Sequence, residues 1–244
     1  MVSFLPMPTE QRNRSTTILI GCIVIAVLAG TGVWYYASGK SYQYSLAAGE
    51  TIQNWSFVGA YNGNDELEKR AHDEITRLQG FVGKGPDTDY SYYISIANQY
   101  NLLGDGKSEY AYLQKALAID SEHTGLAWSN VAALFERLGA LSSARDAYKR
   151  AANAQASPQY ITAYLEFLTE HFPLETSEIE RAYAVGIAAI GEAPQLLQIR
   201  ARWLEGEGRT QEAITDWKKV KRLVPASAAA ADIEIKRLQE KSQH

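Results

Sequence analysis

WSNVAALFERLGALSSARDAYKRAA, residues 128–152, carries the pattern from which the architecture follows. In both halves apolar side chains recur at intervals of three and four, so that each half forms a helix with one apolar face. The positions are Trp128, Val131, Ala132 and Phe135 in the first half, and Ala144, Tyr148 and Ala151 in the second. Small alanines allow two helices to approach closely while large aromatics fill the space around them. The stretch therefore predicts a tight antiparallel helix pair.

The turn between the two helices is predicted at Gly139, four residues after Phe135. Glycine adopts the left-handed backbone conformation that commonly ends a helix. Ser142 and Ser143 follow, and their side chains are candidate caps for the second helix.

The same hairpin pattern recurs before and after this stretch. Gly104 and Gly139 are 35 residues apart, and Gly139 and Gly208 are 69 apart, close to one and two periods of about 34. Two positions depart from the pattern, because Glu109 and Arg200 stand where small or apolar residues are expected. The matching positions are Tyr93, Ile96, Ala97, Tyr100, Leu113 and Ala116 in the earlier unit, Tyr164, Leu165, Leu168, Ala182, Ala189 and Pro194 in the next, and Leu197, Ala201, Leu204, Ala213, Trp217, Val220 and Pro225 in the last.

This spacing of aromatic, small and glycine residues resembles the tetratricopeptide repeat (TPR). The resemblance implies an all-α fold, a right-handed superhelical solenoid of helix-turn-helix units. The alternative is an ordinary helical bundle, but a bundle requires no fixed period.

In that family the first helix of each pair lines a concave surface that holds peptides or partner domains. The residues predicted to face this groove are mixed polar ones: Asn98, Asn101, Ser129, Asn130, Ala133, Glu136, Gln198, Arg202 and Glu205. Asn98 and Asn130 match two asparagines with which some members bind a C-terminal carboxylate. Ile94 occupies a matching lysine position, and the other basic positions are also unfilled, so carboxylate binding is not expected. The two asparagines are otherwise read as a solvated groove wall.

Composition excludes several other functions. The formal net charge of the 244 residues is -4 and no basic stripe appears, so a nucleic acid is not expected as partner. Cys22 is the single cysteine, and the four histidines show no paired-ligand spacing, so no metal site is expected. No catalytic or cofactor-binding motif is present, which predicts a protein that is not an enzyme and needs no cofactor.

An uncharged run, ILIGCIVIAVLAGTGVWYY, covers residues 18–36. Its nineteen residues extend roughly 28 Å as a helix, enough to cross the hydrocarbon core of a membrane. The closing Trp34, Tyr35 and Tyr36 are typical of an interfacial aromatic belt. Arg12 and Arg14 precede the run, whereas Lys40 follows it closely and acidic residues come after. The positive-inside rule therefore predicts that residues 1–17 are a cytoplasmic tail and that the repeats lie outside the cytoplasm.

Two other interpretations of this run are a cleaved signal peptide and a lipobox. A cleaved signal peptide would have a shorter apolar core and a small-residue exit. A lipobox reading of residues 19–22, which would make Cys22 a lipidated terminus, lacks a long apolar stretch before the cysteine.

Cys22, Ala26 and Gly30 share one helix face, a spacing that allows a homodimer through the span, although many single spans carry small residues without dimerising.

The rest of the chain divides by composition. Residues 37–63 are predicted as a linker, in which Trp55, Val58 and Gly59 echo the start of a degenerate first repeat; the alternative is a tether that packs against the next unit. Residues 64–89 are a helix, capped by Asn64, followed by a Gly- and Pro-containing loop over 83–89. Residues 90–227 form the TPR array of about four repeats, and residues 228–244 a capping helix and tail.

Together these features predict a single-span protein of a bacterial inner or plasma membrane that recruits or assembles other envelope proteins on a TPR scaffold. The alternative is a structural subunit of a membrane or secretion complex, with the span itself as contact surface. A third interpretation keeps the repeats in the cytosol.

Overall fold

The computed structural model describes residues 43–242. This part of the chain is built from ten α-helices and one short 3-10 helix, Pro225–Ser227. The α-helices are α1 Asp65–Gln79, α2 Pro86–Leu103, α3 Gly106–Ile119, α4 Leu126–Arg137, α5 Leu141–Ala154, α6 Pro158–His171, α7 Thr176–Ile190, α8 Pro194–Gly206, α9 Thr210–Leu223 and α10 Ala228–Lys241.

The repeats are helix hairpins, as the periodicity predicts. Within the described residues α2 packs on α3, α4 on α5, α6 on α7 and α8 on α9, and α10 covers the free side of α9. The all-α repeat solenoid is therefore confirmed. The predicted cytoplasmic tail, membrane helix and contact through Cys22, Ala26 and Gly30 all fall outside the described residues. Among residues 43–242, every helix is too short or too polar to cross a bilayer.

The seam of the central hairpin has the predicted alternation of large and small side chains. Phe135, Ala144 and Ala151 have no exposed surface, and Trp128 is 1% exposed. Because the alanines leave no room between the helices, the aromatic rings fill the flanking space. The pattern read from the sequence is thus the packing pattern of the core.

Two predictions about where helices begin and how they are capped are wrong. Helix α2 begins at Pro86, inside the stretch predicted as a loop over 83–89, because proline at the first helical turn needs no N–H donor. Helix α5 begins at Leu141, and neither Ser142 nor Ser143 is its side-chain cap. Asn64 does cap α1, where its side chain accepts a hydrogen bond from the backbone N–H of Leu67.

Residues 43–61, here called the strap, form no helix. The degenerate first repeat suggested by Trp55, Val58 and Gly59 is therefore not formed, and Val58 is 82% exposed. Instead the strap is bonded to the first hairpin: the N–H of Phe57 donates to the carbonyl of Gly104, and the N–H of Gly106 donates to the carbonyl of Trp55, each at 3.0 Å.

The strap also contacts both the first hairpin, α2–α3, and the second hairpin, α4–α5, through its aromatic side chains. The ring of Tyr44 lies edge-on to Trp128 with centroids 4.9 Å apart, and the ring of Trp55 lies 5.2 Å from that of Tyr110 on α3. The Tyr44 hydroxyl donates to Asp146 on α5 at 2.9 Å. These contacts join α3, α4 and α5 through one extended segment.

Glu50 of the strap caps α5 in place of a local side chain. Its carboxylate accepts hydrogen bonds from the backbone N–H of Ser142 at 2.6 Å and of Ser143 at 2.8 Å. Partial burial opposes the charge, but the bonds from Ser143 and Ser142 hold the pKa of Glu50 below its ordinary value. A carboxylate at this end is also favoured by the helix dipole.

Alanine at Gly104 is expected to destabilise the protein far more than alanine at Gly139. Both glycines end the first helix of a hairpin, with φ of +78° and +77°. A Cβ at Gly139 meets open space and costs roughly 1–2 kcal/mol for the left-handed backbone. A Cβ at Gly104 collides with the carbonyl oxygen of Phe57 and must displace the strap, adding roughly 1–3 kcal/mol.

Urea unfolding of the two variants, with limited proteolysis of residues 43–61, measures this difference. Equal destabilisation by the two alanines, with the strap equally protected, would contradict the close contact between Gly104 and the strap.

Candidate protein-binding surface

The solenoid has two faces, and the strap covers part of one of them. The strap lies against Trp128 and Phe135, which are seven residues apart and share one side of α4. Asn130 and Ala133 lie on the other side of the same helix. We define the first-helix face as the side of α4 that carries Asn130 and Ala133, together with the corresponding side of α2, α6 and α8.

The structure brings two of the predicted groove residues together. The side-chain amide of Asn130 donates to the side-chain oxygen of Asn98 at 3.3 Å, which links α4 to α2. Ala133 is exposed and Ser129 is half-buried beside them. This part of the first-helix face is polar and uncharged.

Asn101 has a structural role that the sequence prediction missed. Its amide donates to both carboxylate oxygens of Glu109, at 3.0 and 3.1 Å, within the first hairpin. Glu109 is 3% exposed, and burial raises its pKa to about 7, against the opposing effects of Asn101 and of the positive charge of Arg137. Glu109, which departs from the repeat pattern, is thus one member of a buried polar pair. Its partner is Asn101, whose side-chain amide is therefore already hydrogen-bonded within the protein.

We expect Glu109 to make the stability of the fold depend on pH. Because the folded pKa of about 7 exceeds the ordinary value of 4.5, the folded state retains a proton that the unfolded chain loses. The contribution of protonated Glu109 to the free energy of unfolding is therefore full below pH 4.5, and it is lost as the pH rises to about 7. At 1.36 kcal/mol per pKa unit the loss is about 3 kcal/mol.

Urea unfolding at pH 4.5 and pH 8 checks this expectation. Glu109→Gln should remove that part of the decline while leaving contributions from other titrating groups in place. A variant with the same pH dependence as the parent chain would refute the assignment to Glu109.

Glu136 is engaged by two neighbours. The Tyr148 hydroxyl donates to one carboxylate oxygen at 2.7 Å, and His171 Nε2 lies 2.9 Å from the other. Glu170 lies nearby, with the ligand atoms of Glu136, Glu170 and His171 all within 4.8 Å of one another. No histidine pairing was visible in the sequence, but Glu136 and Glu170 are one period apart and therefore stack on α4 and α6. Glu136 and His171 are therefore held by hydrogen bonds within the protein.

Glu205 is engaged by the capping helix. Arg237 donates to both of its oxygens at 2.6 Å, and Lys241 donates at 3.1 Å. These hydrogen bonds, Arg237 first, lower the pKa of Glu205 to about 2 despite partial burial. The predicted groove residue thus ties α8 to α10.

Arg202, with Gln198 half-buried one turn before it, belongs to a cleft between α6 and α8. The cleft has a volume of about 660 Å³. Of its lining residues only Arg202 was predicted to face the groove, because the others come from two helices and from the turn between α6 and α7. They are Glu166, Thr169, Glu170, Pro173, Leu174, Ile199, Trp203, Gly206 and Glu207.

The fold and this surface define an all-α helical-repeat solenoid resembling tetratricopeptide-repeat proteins. The sequence matches no protein-family model and no curated protein. Among solved structures, the chain is similar to MamA, with 16% identity over 66% of this chain and 95% of that one and a TM-score of 0.52. It also matches pilF of Pseudomonas aeruginosa, with 20% identity over 66% and 72% of the two chains and a TM-score of 0.49. The likeness to MamA establishes a shared fold.

Proposed function

We propose that this chain is a membrane-anchored scaffold that holds other envelope proteins of a bacterium on its first-helix face. The observation that carries the proposal is the cleft between α6 and α8, which is lined by the exposed side chain of Leu174 and by the nearly buried side chains of Ile199 and Trp203. Leu174 is 85% exposed at its edge. The strap, by contrast, already covers the opposite side of α4. A concave surface lined by both apolar and polar side chains is typical of a binding site.

The anchor in this proposal is the apolar run over residues 18–36, whose length and aromatic end are those of a single span. The arginines before it support an orientation with the repeats outside the cytoplasm. Protease treatment of spheroplasts tests this part: the repeats should be degraded from outside, and a protected repeat domain would refute the orientation.

Site-specific photocrosslinking tests the scaffold function. A photoreactive phenylalanine analogue is placed at Asn130 or at Arg202 of the membrane-bound chain, and at Lys218, exposed on α9, as the matched control. We expect defined adducts with another protein at Asn130 or Arg202 and none at Lys218. Adducts no stronger than those at Lys218 would refute binding on the first-helix face.

The same experiment with a crosslinker on Cys22 separates the alternative function. A partner captured at Cys22, with none on the first-helix face, would indicate a structural subunit that uses its span as the contact surface.

A further inference from the structure

We propose that the cleft between α6 and α8 binds an extended protein segment in which a large apolar side chain is flanked by lysine or arginine. This inference rests on the proposed function and names the chemistry of the partner. It comes from the apolar floor of the cleft and from the charges around it.

The floor of the cleft is apolar. Ile199 and Trp203 of α8 are 8% and 5% exposed, and they line the cleft with Pro173 and Leu174. The indole N–H of Trp203 donates to the carbonyl of Pro173 at 3.0 Å, which fixes the turn between α6 and α7 against α8. A preformed apolar floor of this kind accepts a large apolar side chain without loss of order.

The rim of the cleft carries net negative charge. The lining residues include three carboxylates, those of Glu166, Glu170 and Glu207, and one cation, that of Arg202. None of these four side chains forms an ion pair with another residue of the described range 43–242, whereas nearby Glu178, Glu180 and Glu205 all do. These carboxylates are exposed, so they attract a cationic segment through an interaction that salt screens.

Gly206 provides a way to block the cleft without disturbing the fold. It lines the cleft in the last turn of α8, and a Cβ added there meets nothing within 4 Å. Leucine at this position should fill the cleft. It should also leave helix stability unchanged or raised, since glycine is a poor helix former.

The test uses the 244-residue chain in detergent and arrays of labelled nonapeptides. The probe array has Leu, Phe or Trp at the centre and Lys or Arg on both sides. One control array replaces the basic residues with Glu, and the other replaces the apolar residues with Ser. Fluorescence anisotropy should show binding at least about tenfold tighter for the probe array than for either control, and weaker binding at 0.5 M than at 0.05 M NaCl, concentrations chosen to vary the screening.

Three variants relate binding to the cleft. Gly206→Leu should weaken binding at least about tenfold with no loss of thermal stability. Combined Glu166→Gln, Glu170→Gln and Glu207→Gln should abolish the dependence on salt. Lys218→Leu, which adds the same side chain on α9, should bind as the parent chain does.

Several results would overturn the proposal: no preference among the arrays, binding that Gly206→Leu leaves intact, or equal competition by spermidine, which would indicate a site for small cations. Crosslinks at Asn130 that persist alongside such a result would refute the partner chemistry and leave the scaffold function standing. Absence of crosslinks from the whole first-helix face would refute both.

Discussion

Replacing Arg200 with methionine is expected to lower the free energy of unfolding by about 3–5 kcal/mol. Arg200 Nε donates to Asp216 Oδ2 at 2.7 Å and its Nη2 donates to Oδ1 at 2.9 Å, a bidentate pair between α8 and α9. Asp216 has no exposed surface. Removal of the guanidinium therefore leaves a carboxylate that is buried and has no cation to balance it. Urea unfolding followed by circular dichroism measures the loss.

A double variant provides the control for this prediction. Arg200→Met combined with Asp216→Leu removes both charges, and such apolar replacements of buried pairs are often neutral or stabilising. We expect it to recover most of the lost stability. A double variant as unstable as Arg200→Met would show that the cost came from packing around the ring of Tyr183, which lies 3.9 Å from the guanidinium, and not from the unpaired charge.

Trp128→Ala is expected to cost about 3–5 kcal/mol of unfolding free energy. The side chain is 1% exposed, and its indole N–H donates to the carbonyl of Ser121 at 2.8 Å. Truncation opens a cavity in the central hairpin and also removes the ring against which Tyr44 of the strap packs. Thermal unfolding should therefore shift downward, and the strap should become sensitive to protease.

Leu126→Ala is the matched control, because Leu126 begins the same helix and is 38% exposed. Its effect should stay within about 0.5 kcal/mol, as for other surface substitutions. Similar losses for Trp128→Ala and Leu126→Ala would contradict the burial of Trp128.

The strap shows what local pattern reading misses. Residues 43–61 have no regular periodicity, and their contacts are to residues far along the chain, such as Glu50 with Ser143 and Tyr44 with Asp146. No spacing within the segment indicates those partners. The echo of a repeat at Trp55 was misleading because the Trp55 ring packs against Tyr110 and Phe135 on two other helices, whereas Val58 is exposed.

The predicted groove shows a second limit. Asn98 and Asn130, both predicted groove residues, lie side by side on successive first helices and are joined by a hydrogen bond. Register does not say which polar side chains are already bonded. Asn101, Glu136 and Glu205 all have partners within the protein, whereas Arg202 has none in the described range.

The amino-acid sequence by itself determined the helix hairpins, their period and the glycine turns at Gly104, Gly139 and Gly208, because these depend on neighbours within one or two helical turns and on backbone preferences. Only the tertiary structure decided that the strap covers one side of the second hairpin, that Asp216 is balanced by Arg200, and that an acidic apolar cleft remains open between α6 and α8. Burial, hydrogen-bond pairing and unpaired charge arise from residues distant in sequence, and spacing along the chain does not encode which of them meet.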